Sequence, residues 1–400
     1  MRYTLGELAE IIDGDRGKNY PQQNEFFDSG YCLFLNTGNV TNHGFSFEQN
    51  QFITKEKCDI LRKGKLQRGD IVYTTRGTVG NAAYYSEAVE YEHIRINSGM
   101  VIIRPNNDIV DTRFLYQILK SDYYRPFFKQ FCTGSAQPQL PIKNFSKIEL
   151  DIPALAIQTR IADILSAYDD LIENNQKQIK LLEEAAQRLY KEWFVDLRFP
   201  GYEKTAVVDG VPEGWSKCTL EQICSLRKET ISTDQITSDI PYIGLEHMPR
   251  VDFCLSSWGN AENVTSSKYK YNEDDIIFGK IRPYFHKVGF ALNSGVVSTD
   301  SFVMKSQNGM WGLLLMTVFD KTFVDYTYQT CKEGAKMPRA DWDEMRQYAV
   351  LIPYEGVLNT FEKNIWSITR QIKTIALQNH MLKEARDRLL PKLMSGELEV

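Results

Sequence analysis

The stretch IADILSAYDDLIENNQKQIKLLEEAAQRLYKEW, residues 161–193, decides the fold because its apolar residues recur in alternating steps of four and three. This spacing places them along one side of an α-helix and is typical of a coiled-coil seam. A second stretch, FEKNIWSITRQIKTIALQNHMLKEARDRLLPKL at residues 361–393, follows the same plan 200 residues later. Each seam contains one asparagine, Asn175 in the first and Asn379 in the second. The sequence therefore predicts two long helices of related design.

Two matching seams in one chain can bury each other if the second helix returns antiparallel to the first. A lone buried amide loses its hydrogen bonds, so we predict the register that places Asn175 opposite Asn379. This register also sets Tyr168 against Arg386, where the ring face can carry the guanidinium. The predicted coiled-coil interface consists of Leu165, Ile172, Asn175, Ile179, Leu182 and Leu189 on the first helix and of Ile365, Ile372, Ile375, Asn379, Leu382 and Leu389 on the second.

The two ends of the second seam differ in regularity. At its start, the predicted register sets Phe361 against Trp193 of the first helix. Near its end, Pro391 stands where the first seam has Lys191 and removes a backbone donor, so we expect the helix to end or kink before Leu393. The alternative to a helix pair is that each helix packs on its own neighbouring domain.

Length and composition indicate a globular protein of two or three domains: the chain has 400 residues, 42% hydrophobic and 25% charged. No run approaches the roughly 18 apolar residues of a membrane span, and the opening MRYTLGELAE lacks a signal peptide's apolar core, so we expect a cytoplasmic protein. Seven scattered cysteines argue against a disulfide framework and a zinc site. The net charge of -5 argues against a polyanionic partner, but residues 55–76 sum to about +4, as a phosphate-binding surface requires.

The globular segments repeat as well as the helices. TLGELAEI corresponds to CTLEQICSL, GDIVYTTRGTVGNAA to EDDIIFGKIRPYFHKVGFA, and GSAQPQLPIKNFSKIELDIP to GAKMPRADWDEMRQYAVLIP. Mixed strand and helix patterns predict an α+β fold for each copy, and the chain is predicted to be a tandem duplication: two pseudo-symmetric domains separated by the antiparallel coiled coil. The predicted boundaries are 1–153 for the first globular domain, 154–199 for the first helical region, 200–211 for a linker, 212–353 for the second globular domain and 354–400 for the second helical region.

Strand and turn segments in both domains carry Arg or Lys among Gly, Thr and aromatic residues. Such segments can bring donors to base edges and phosphates, while the small residues allow close approach. For any one of these residues taken singly, the alternative is a solvated surface charge. The candidate DNA-binding residues are Thr74, Thr75, Arg76, Ser135 and Gln137 in the first domain and Lys280, Arg282, Tyr284, Lys336 and Arg339 in the second.

Several catalytic signatures are absent from the sequence. It contains no P-loop ending in Gly-Lys-Ser/Thr, no G-x-G-x-x-G fingerprint and no Asn/Asp-Pro-Pro-Tyr/Phe tetrapeptide, of which RPYF at 282–285 is only a superficial echo. Asp274 and Asp275 with Lys280 could belong to a nuclease metal site, but the matching Gly-Asp at 69–70 favours a turn before a strand. We expect no catalytic residue, metal or cofactor in this chain.

Four segments resemble the specificity subunit of Type I restriction–modification systems: IQTRIADILSAYDDLIENNQKQIKLLEEAAQRLYKEWFVDLRFPGYE, VPEGWSKCTLEQI, GDIVYTTRGTVG and RLLPKLMSGELEV. The resemblance covers nearly the whole chain. It implies that each globular domain is a target recognition domain for one half of a bipartite, asymmetric site in double-stranded DNA. It also implies that the helices dock two modification subunits, which carry S-adenosylmethionine chemistry, and that two restriction subunits using ATP and Mg complete the assembly.

The predicted helices are long enough for such a role. About 35 to 40 helical residues span roughly 50 to 60 Å, compared with roughly 34 Å for one turn of DNA, so helix length can act as a ruler between half-sites. The acidic total leads us to expect weak DNA binding by this chain alone. Two other function classes stay open: a free-standing DNA-modifying enzyme, and a duplicated coiled-coil adaptor that binds proteins rather than DNA.

Overall fold

The computed structural model describes residues 1–42, 44–134, 138–331 and 337–399. The chain divides into unit 1, which comprises Met1–Leu171 and Leu382–Val400, and unit 2, which comprises Ile172–Met381. Both units combine helices with mainly antiparallel sheets, which confirms the predicted α+β class. Within the described ranges, no helix is long and apolar enough to cross a membrane.

Unit 1 contains short strands, short helices and the first part of a long helix, α6. Its strands are β1 (Arg2–Thr4), β2 (Ala9–Asp13), β3 (Cys32–Leu35), β4 (Val40–Thr41), β5 (Gly44–Phe45), β6 (Phe52–Ile53), β7 (Ile71–Thr74), β8 (Ala82–Tyr84), β9 (Ile94–Ile96), β10 (Met100–Pro105) and β11 (Glu149–Asp151). Its helices are α1 (Leu5–Leu8), α2 (Lys55–Ile60), α3 (Thr112–Lys120), α4 (Arg125–Lys129), α5 (Ile142–Phe145) and α6 (Leu155–Tyr190), which continues into unit 2.

The main sheet of unit 1 has the strand order β2-β10-β7-β8 with antiparallel neighbours. Successive side chains of a strand point to opposite faces, and here both faces are buried. Tyr73 and Ile103 pack with Phe114 of α3 in one core, whereas Val72 and Ile102 belong to a second core under the sheet β6-β3-β9. The turn that joins β7 to β8 therefore projects from a strand that is fixed on both sides.

Unit 2 contains the end of α6, a π-helical turn at Lys191–Val195, and a second set of strands and helices. Its strands are β12 (Val207–Val208), β13 (Val211–Pro212), β14 (Ser216–Thr219), β15 (Cys224–Leu226), β16 (Thr230–Ile231), β17 (Pro241–Ile243), β18 (Cys254–Leu255), β19 (Gly259–Asn260), β20 (Lys268–Tyr271), β21 (Ile276–Gly279), β22 (Val288–Ala291), β23 (Gly295–Val297), β24 (Ser301–Ser306) and β25 (Ala349–Ile352). Its helices are α7 (Leu220–Ile223), α8 (Trp311–Phe319), α9 (Lys321–Gln329), α10 (Trp342–Met345) and α11 (Glu355–Ser395), which ends in unit 1.

The sheets of unit 2 repeat those of unit 1. The order β15-β24-β21-β22-β18 corresponds to β2-β10-β7-β8 with one added strand, and the pair β14–β25 corresponds to β1–β11. A capping box precedes the first short helix of both copies: Thr4 N donates to Glu7 Oε2 at 2.7 Å, and Thr219 N donates to Gln222 Oε1 at 2.9 Å. The predicted duplication is therefore visible in strand order and in local capping.

Within unit 2, α6 and α11 run antiparallel in the predicted register. The amide Nδ2 of Asn175 donates to Oδ1 of Asn379 at 2.9 Å, and both side chains are buried. The ring centroids of Trp193 and Phe361 lie 5.8 Å apart. The predicted pairing is confirmed. The other seam residues of this unit are buried (Ile172, Ile365, Ile372) or half-buried (Ile179, Leu182, Leu189, Ile375).

The helices also pack on the globular parts, as the alternative proposed. Ile365 and Ile372 belong to the same core as residues of α8 and of the main sheet of unit 2. In unit 1, Leu165 lies in the core with β7 and β10. Each helix thus has one face shared between its partner helix and a domain.

The contact predicted for Arg386 is wrong. Its Nη1 donates to Asp169 Oδ1 at 2.7 Å and its Nη2 donates to Asp387 Oδ1 at 2.8 Å, instead of stacking on the ring of Tyr168. A guanidinium–carboxylate pair forms charge-assisted hydrogen bonds, which are stronger than a ring contact at a partly buried position. The observed partner of Arg386, Asp169, is one residue away from the predicted partner, Tyr168.

The expected end of the second helix before Leu393 is also wrong, because α11 continues through Pro391 to Ser395. Leu390 and Leu393 are buried in the core of unit 1, and Leu389 packs against that core. Burial of these leucines offsets the hydrogen bond that the proline removes. Leu382, at the start of this segment, is half-buried.

Candidate nucleic-acid interface

The turn between β7 and β8 in unit 1 is fixed by its own threonines. Thr74 Oγ1 donates to the carbonyl of Thr78 and accepts from Asn81 N at 3.0 Å, while Thr75 Oγ1 donates to Gly99 O at 3.2 Å. Both Thr74 and Thr75 are buried. This corrects their prediction as DNA contacts: their hydroxyls shape the turn and do not face solvent.

Arg76 follows directly and is half-buried rather than enclosed. Its backbone pairs with Gln139, and Leu140 N donates to Thr75 O at 3.0 Å. The turn after β7 and the segment that contains Gln139 therefore lie side by side in unit 1. Ser135 and Gln137 of the second loop lie outside the described residues.

An open cleft of about 790 Å³ lies next to this turn. Its polar lining includes Thr78 from the turn, Thr37 and Asn42 from the segment around β4, and Arg125 and Lys129 from α4. Arg125 is held by Asp122, with Nε and Oδ1 2.9 Å apart, whereas Lys129 is exposed. The two α4 cations are not among the residues predicted from the sequence, although Arg and Lys alternate with aromatic residues in SDYYRPFFKQF.

The basic segment 55–76 is partly neutralised by local acids. Lys57 pairs with Glu25 at 2.8 Å, and Arg62 lies 3.8 Å from Asp15. The exposed Lys63 and Lys65 line a second cleft with Arg62. The cations that remain available to a phosphate backbone are therefore fewer than the sequence count indicates.

In unit 2, Lys280 is half-buried and its ammonium group is held by neighbouring residues. Its Nζ donates to Thr299 O at 2.7 Å and lies 4.4 Å from the ring centroid of Phe302 and 5.3 Å from that of Tyr269. Burial lowers the pKa of Lys280. The hydrogen bond to Thr299 O anchors the start of the loop that joins β21 to β22, and the role of Lys280 in contacting DNA stays a prediction.

The other described candidates of unit 2 lie on that loop or beside it. Tyr284 is 45% exposed, Arg282 is half-buried, and Arg339 is exposed with its guanidinium 3.0 Å from Asp300. Arg282 N donates to Pro338 O at 2.8 Å, which reproduces the side-by-side loops of unit 1. Lys336 lies outside the described residues.

The acidic pair before β21 forms a turn, as the sequence comparison favoured. Asp275 is buried, and its carboxylate accepts hydrogen bonds from Asn272 N at 2.8 Å and from Arg227 Nε at 2.7 Å. Asp70 is likewise buried and accepts from Arg104 Nη2 at 2.8 Å. In the described parts of the chain, no group of three or more His, Cys, Asp or Glu side chains is arranged to hold a metal ion.

Comparison with known families defines the class of the globular fold. Residues 1–184 match the model of the type I restriction modification DNA specificity domain. The crystal structure of the type I restriction–modification S subunit from M. genitalium has the same fold, with a TM-score of 0.56 and 14% identity, over 98% of this chain and 96% of that one. The matched region includes the turn, the two adjoining loops and the cleft of unit 1.

Relatives that span most of the chain carry the same description. The MjaIX specificity subunit of Methanocaldococcus jannaschii is 26% identical over 352 residues, which cover 83% of this chain and 78% of that protein. The HindI specificity subunit of Haemophilus influenzae is 22% identical and covers 98% of this chain and 100% of that protein. Residues 1–184 therefore resemble a DNA specificity domain, and most of the chain is similar to specificity subunits of type I restriction enzymes. The protein-binding adaptor finds no support in these comparisons.

Proposed function

We propose that each unit recognises one half of a bipartite, asymmetric DNA site. The observation that carries this proposal is the repetition of one main sheet in both units with different side chains on the equivalent turn, Gly77–Gly80 in unit 1 and Arg282–His286 in unit 2. A common sheet presents the turn in the same way, while the different side chains offer different donors and ring faces to the bases. The two units are therefore expected to recognise half-sites of different sequence.

We also propose that α6 and α11 set the spacer between the half-sites and dock two modification subunits. The buried Asn175–Asn379 pair supports a fixed register, because slipping the helices would leave two unpaired amides at a cost of about 1–3 kcal/mol each. In this assignment the chain is a non-catalytic subunit in the cytoplasm. Methyl transfer with S-adenosylmethionine belongs to the modification subunits, and ATP and Mg belong to two restriction subunits.

Insertion of one heptad into each helix at the same level tests the spacer role. The insertion points are between Asn175 and Gln176 and between Gln378 and Asn379, so the two seams stay in phase. Seven residues add about 10 Å, and at roughly 3.4 Å per base pair we expect the spacer to lengthen by up to about three base pairs. Methylation mapping of the variant complex measures this spacer directly.

A matched control inserts seven Gly and Ser residues between Asp209 and Gly210, in the exposed β12–β13 turn, and is expected to leave the motif unchanged. If the complex with the heptad variant methylates DNA with an unchanged spacer, or at altered half-sites, the proposal that helix length sets the spacer would be contradicted.

Two substitutions in unit 1 separate base recognition from phosphate binding. Arg76→Ala is expected to weaken binding to the cognate site roughly tenfold to a hundredfold and to relax one base position, because a specific base contact provides about 1–3 kcal/mol of discrimination. Lys129→Ala is expected to weaken binding to all sequences alike and to reduce the salt slope by about one. Titrations of cognate and scrambled DNA at several salt concentrations, with the full complex, measure both effects.

Lys147→Ala is the control, because Lys147 is an exposed lysine of unit 1 that lines neither cleft. Equal losses on cognate and scrambled DNA for Arg76→Ala would remove it from base recognition.

A further inference from the structure

The loop Arg282–His286 has a left-handed backbone at both ends. Arg282 has φ 51° and His286 has φ 52°, and the intervening residues form a 3₁₀ turn. The equivalent turn of unit 1 is one residue shorter and has glycine at both positions, Gly77 with φ 71° and Gly80 with φ 104°. Left-handed backbone is strained for residues with a Cβ, and such strain clusters at functional sites. Unit 2 therefore retains the side chains of Arg282 and His286 at two strained backbone positions, whereas unit 1 has glycine there and carries no such strain.

A neighbouring segment is strained as well. Val251, a β-branched residue, has φ 65°, and its N–H donates to His286 O at 3.2 Å. The preceding side chain, Arg250, places its guanidinium 4.0 Å from the ring centroid of Phe285, and that of Arg282 lies 5.7 Å from the same ring. The strained positions thus belong to one contiguous cluster.

Contacts with the underlying core fix the loop Arg282–His286. His286 Nε2 donates to Phe319 O at 2.7 Å, Pro283 is buried, and Phe285 is flanked by the two arginines. Burial lowers the pKa of His286, so the imidazole is neutral at physiological pH and keeps this single donor. The ring of Tyr284 is then held by Phe285 at 4.8 Å and by Tyr328 at 5.1 Å between centroids. Tyr284 is therefore an exposed aromatic side chain on a rigid turn.

The surface around Tyr284 combines exposed apolar groups with cations. Val251 is 56%, Tyr328 46% and Met337 50% exposed, and each belongs to the loop or to a segment in contact with it. Nucleobases offer a flat apolar face next to phosphates, which matches rings and methyl groups flanked by arginine. Double-stranded DNA, the partner under the proposed function, therefore fits this surface. In unit 1 the residue at the position of Tyr284 is Val79, which has no ring to stack.

We propose that Tyr284 is a stacking wedge: its ring enters a base step of the half-site bound by unit 2, while Arg250 and Arg282 contact the flanking phosphates. The inference rests on the proposed function. The wedge favours a flexible pyrimidine–purine step, because unstacking costs least there, so part of the specificity of unit 2 comes from DNA deformability. Unit 1 binds its half-site without this device.

The test uses the full chain with its modification subunits on DNA carrying the mapped motif. 2-Aminopurine, an adenine analogue that becomes brighter when its neighbours unstack, replaces in turn each adenine on either strand of both half-sites except the methylated adenine, which the modification subunit is expected to flip. Two variants are compared with the natural chain: Tyr284→Phe keeps the ring, and Tyr284→Val introduces the side chain of unit 1. Tyr202→Ala, which removes an equally exposed tyrosine of unit 2, is the control.

We expect a severalfold rise in fluorescence at one step of the unit 2 half-site for the natural chain, Tyr284→Phe and Tyr202→Ala, and no rise for Tyr284→Val. The affinity of Tyr284→Val should fall roughly fivefold to a hundredfold, as for the loss of one aromatic–base stack. Motif-specific binding without any rise that depends on Tyr284 would overturn the wedge alone. Absence of motif-specific binding by the natural complex would overturn the wedge and the proposed function together.

Discussion

Replacement of Glu183 by glutamine is expected to raise the free energy of unfolding of unit 2 by roughly 4 kcal/mol at pH 8 and to change it little near pH 4. Glu183 is buried on α6, and its Oε1 accepts from Phe253 N at 3.0 Å and from Cys254 N at 2.8 Å. Glutamine keeps this acceptor without an ionisable group. The long helix would thus remain attached to the sheet in the variant.

The pH dependence follows from the sign of the pKa shift. Burial, reinforced by the nearby Asp252, raises the pKa of Glu183 from 4.5 to about 8 and outweighs the two N–H donors. The folded state then holds its proton more tightly than the unfolded state. The contribution of Glu183 to stability is therefore greatest below about pH 4.5 and falls as the pH rises towards 8, with a slope of about 1.4 kcal/mol per pH unit.

Tryptophan fluorescence measures this effect in the intact chain, because all six tryptophans lie in unit 2. Urea titrations at pH 5 and pH 8 should show a decrease in midpoint for the natural chain that is largely absent in Glu183→Gln. Glu184→Gln, which changes the exposed neighbour, should retain the decrease. An equal decrease in Glu183→Gln would contradict the assignment of the titrating group.

Replacement of Asp275 by alanine is expected to lower the stability of unit 2 by about 3–5 kcal/mol. Its carboxylate holds the turn before β21 through Asn272 N and pairs with Arg227, whose side chain is only 13% exposed. The hydrogen bond to Asp275 raises the pKa of Arg227. Without that bond the guanidinium still stays charged, because an arginine is protonated at neutral pH in any environment of this kind. Alanine would leave the largely buried guanidinium with Glu229 as its remaining carboxylate partner, 2.8 Å from Nη1, and would leave the N–H of Asn272 unpaired.

The urea midpoint from tryptophan fluorescence checks this loss. Asp70→Ala is the matched variant in unit 1, where Arg104 is the partner, and should cause a comparable loss that circular dichroism detects. Asp343→Ala, which changes an exposed acid of unit 2, should have little effect. An unchanged midpoint for Asp275→Ala would show that the pair does not stabilise the turn.

The helix register was predictable because its determinants are periodic and local. The heptad spacing defines the seam, and the need to pair Asn175 with Asn379 selects one register among several. The partner of Arg386 was not predictable in this way, since the choice between Tyr168 and Asp169 depends on how each side chain leaves the helix. The continuation of α11 past Pro391 depends on burial in unit 1, which the local sequence does not reveal.

The candidate interface was predictable only in outline. Matching the duplicated segments identified the two turns and their adjoining loops, but not the direction of each side chain. Thr74 carries suitable chemistry but is buried, because its hydroxyl bonds within its own turn, to Thr78 and Asn81. The ammonium group of Lys280 is held by Thr299 O, which the local sequence does not reveal. Arg125 and Lys129 reach the cleft through the packing of α4, so the alternation of cations and aromatics in that segment does not by itself show which surface they line.

Genome-wide mapping of adenine methylation tests the account most directly. Cells would produce the modification subunit alone, with the natural chain, or with a chain in which residues 282–286, RPYFH, are replaced by the unit 1 turn GTVG. We predict one bipartite motif that requires the chain, and a change confined to one half of that motif when the turn is replaced. A motif that persists without the chain, no motif at all, or a replaced turn that alters both halves or neither would contradict the account.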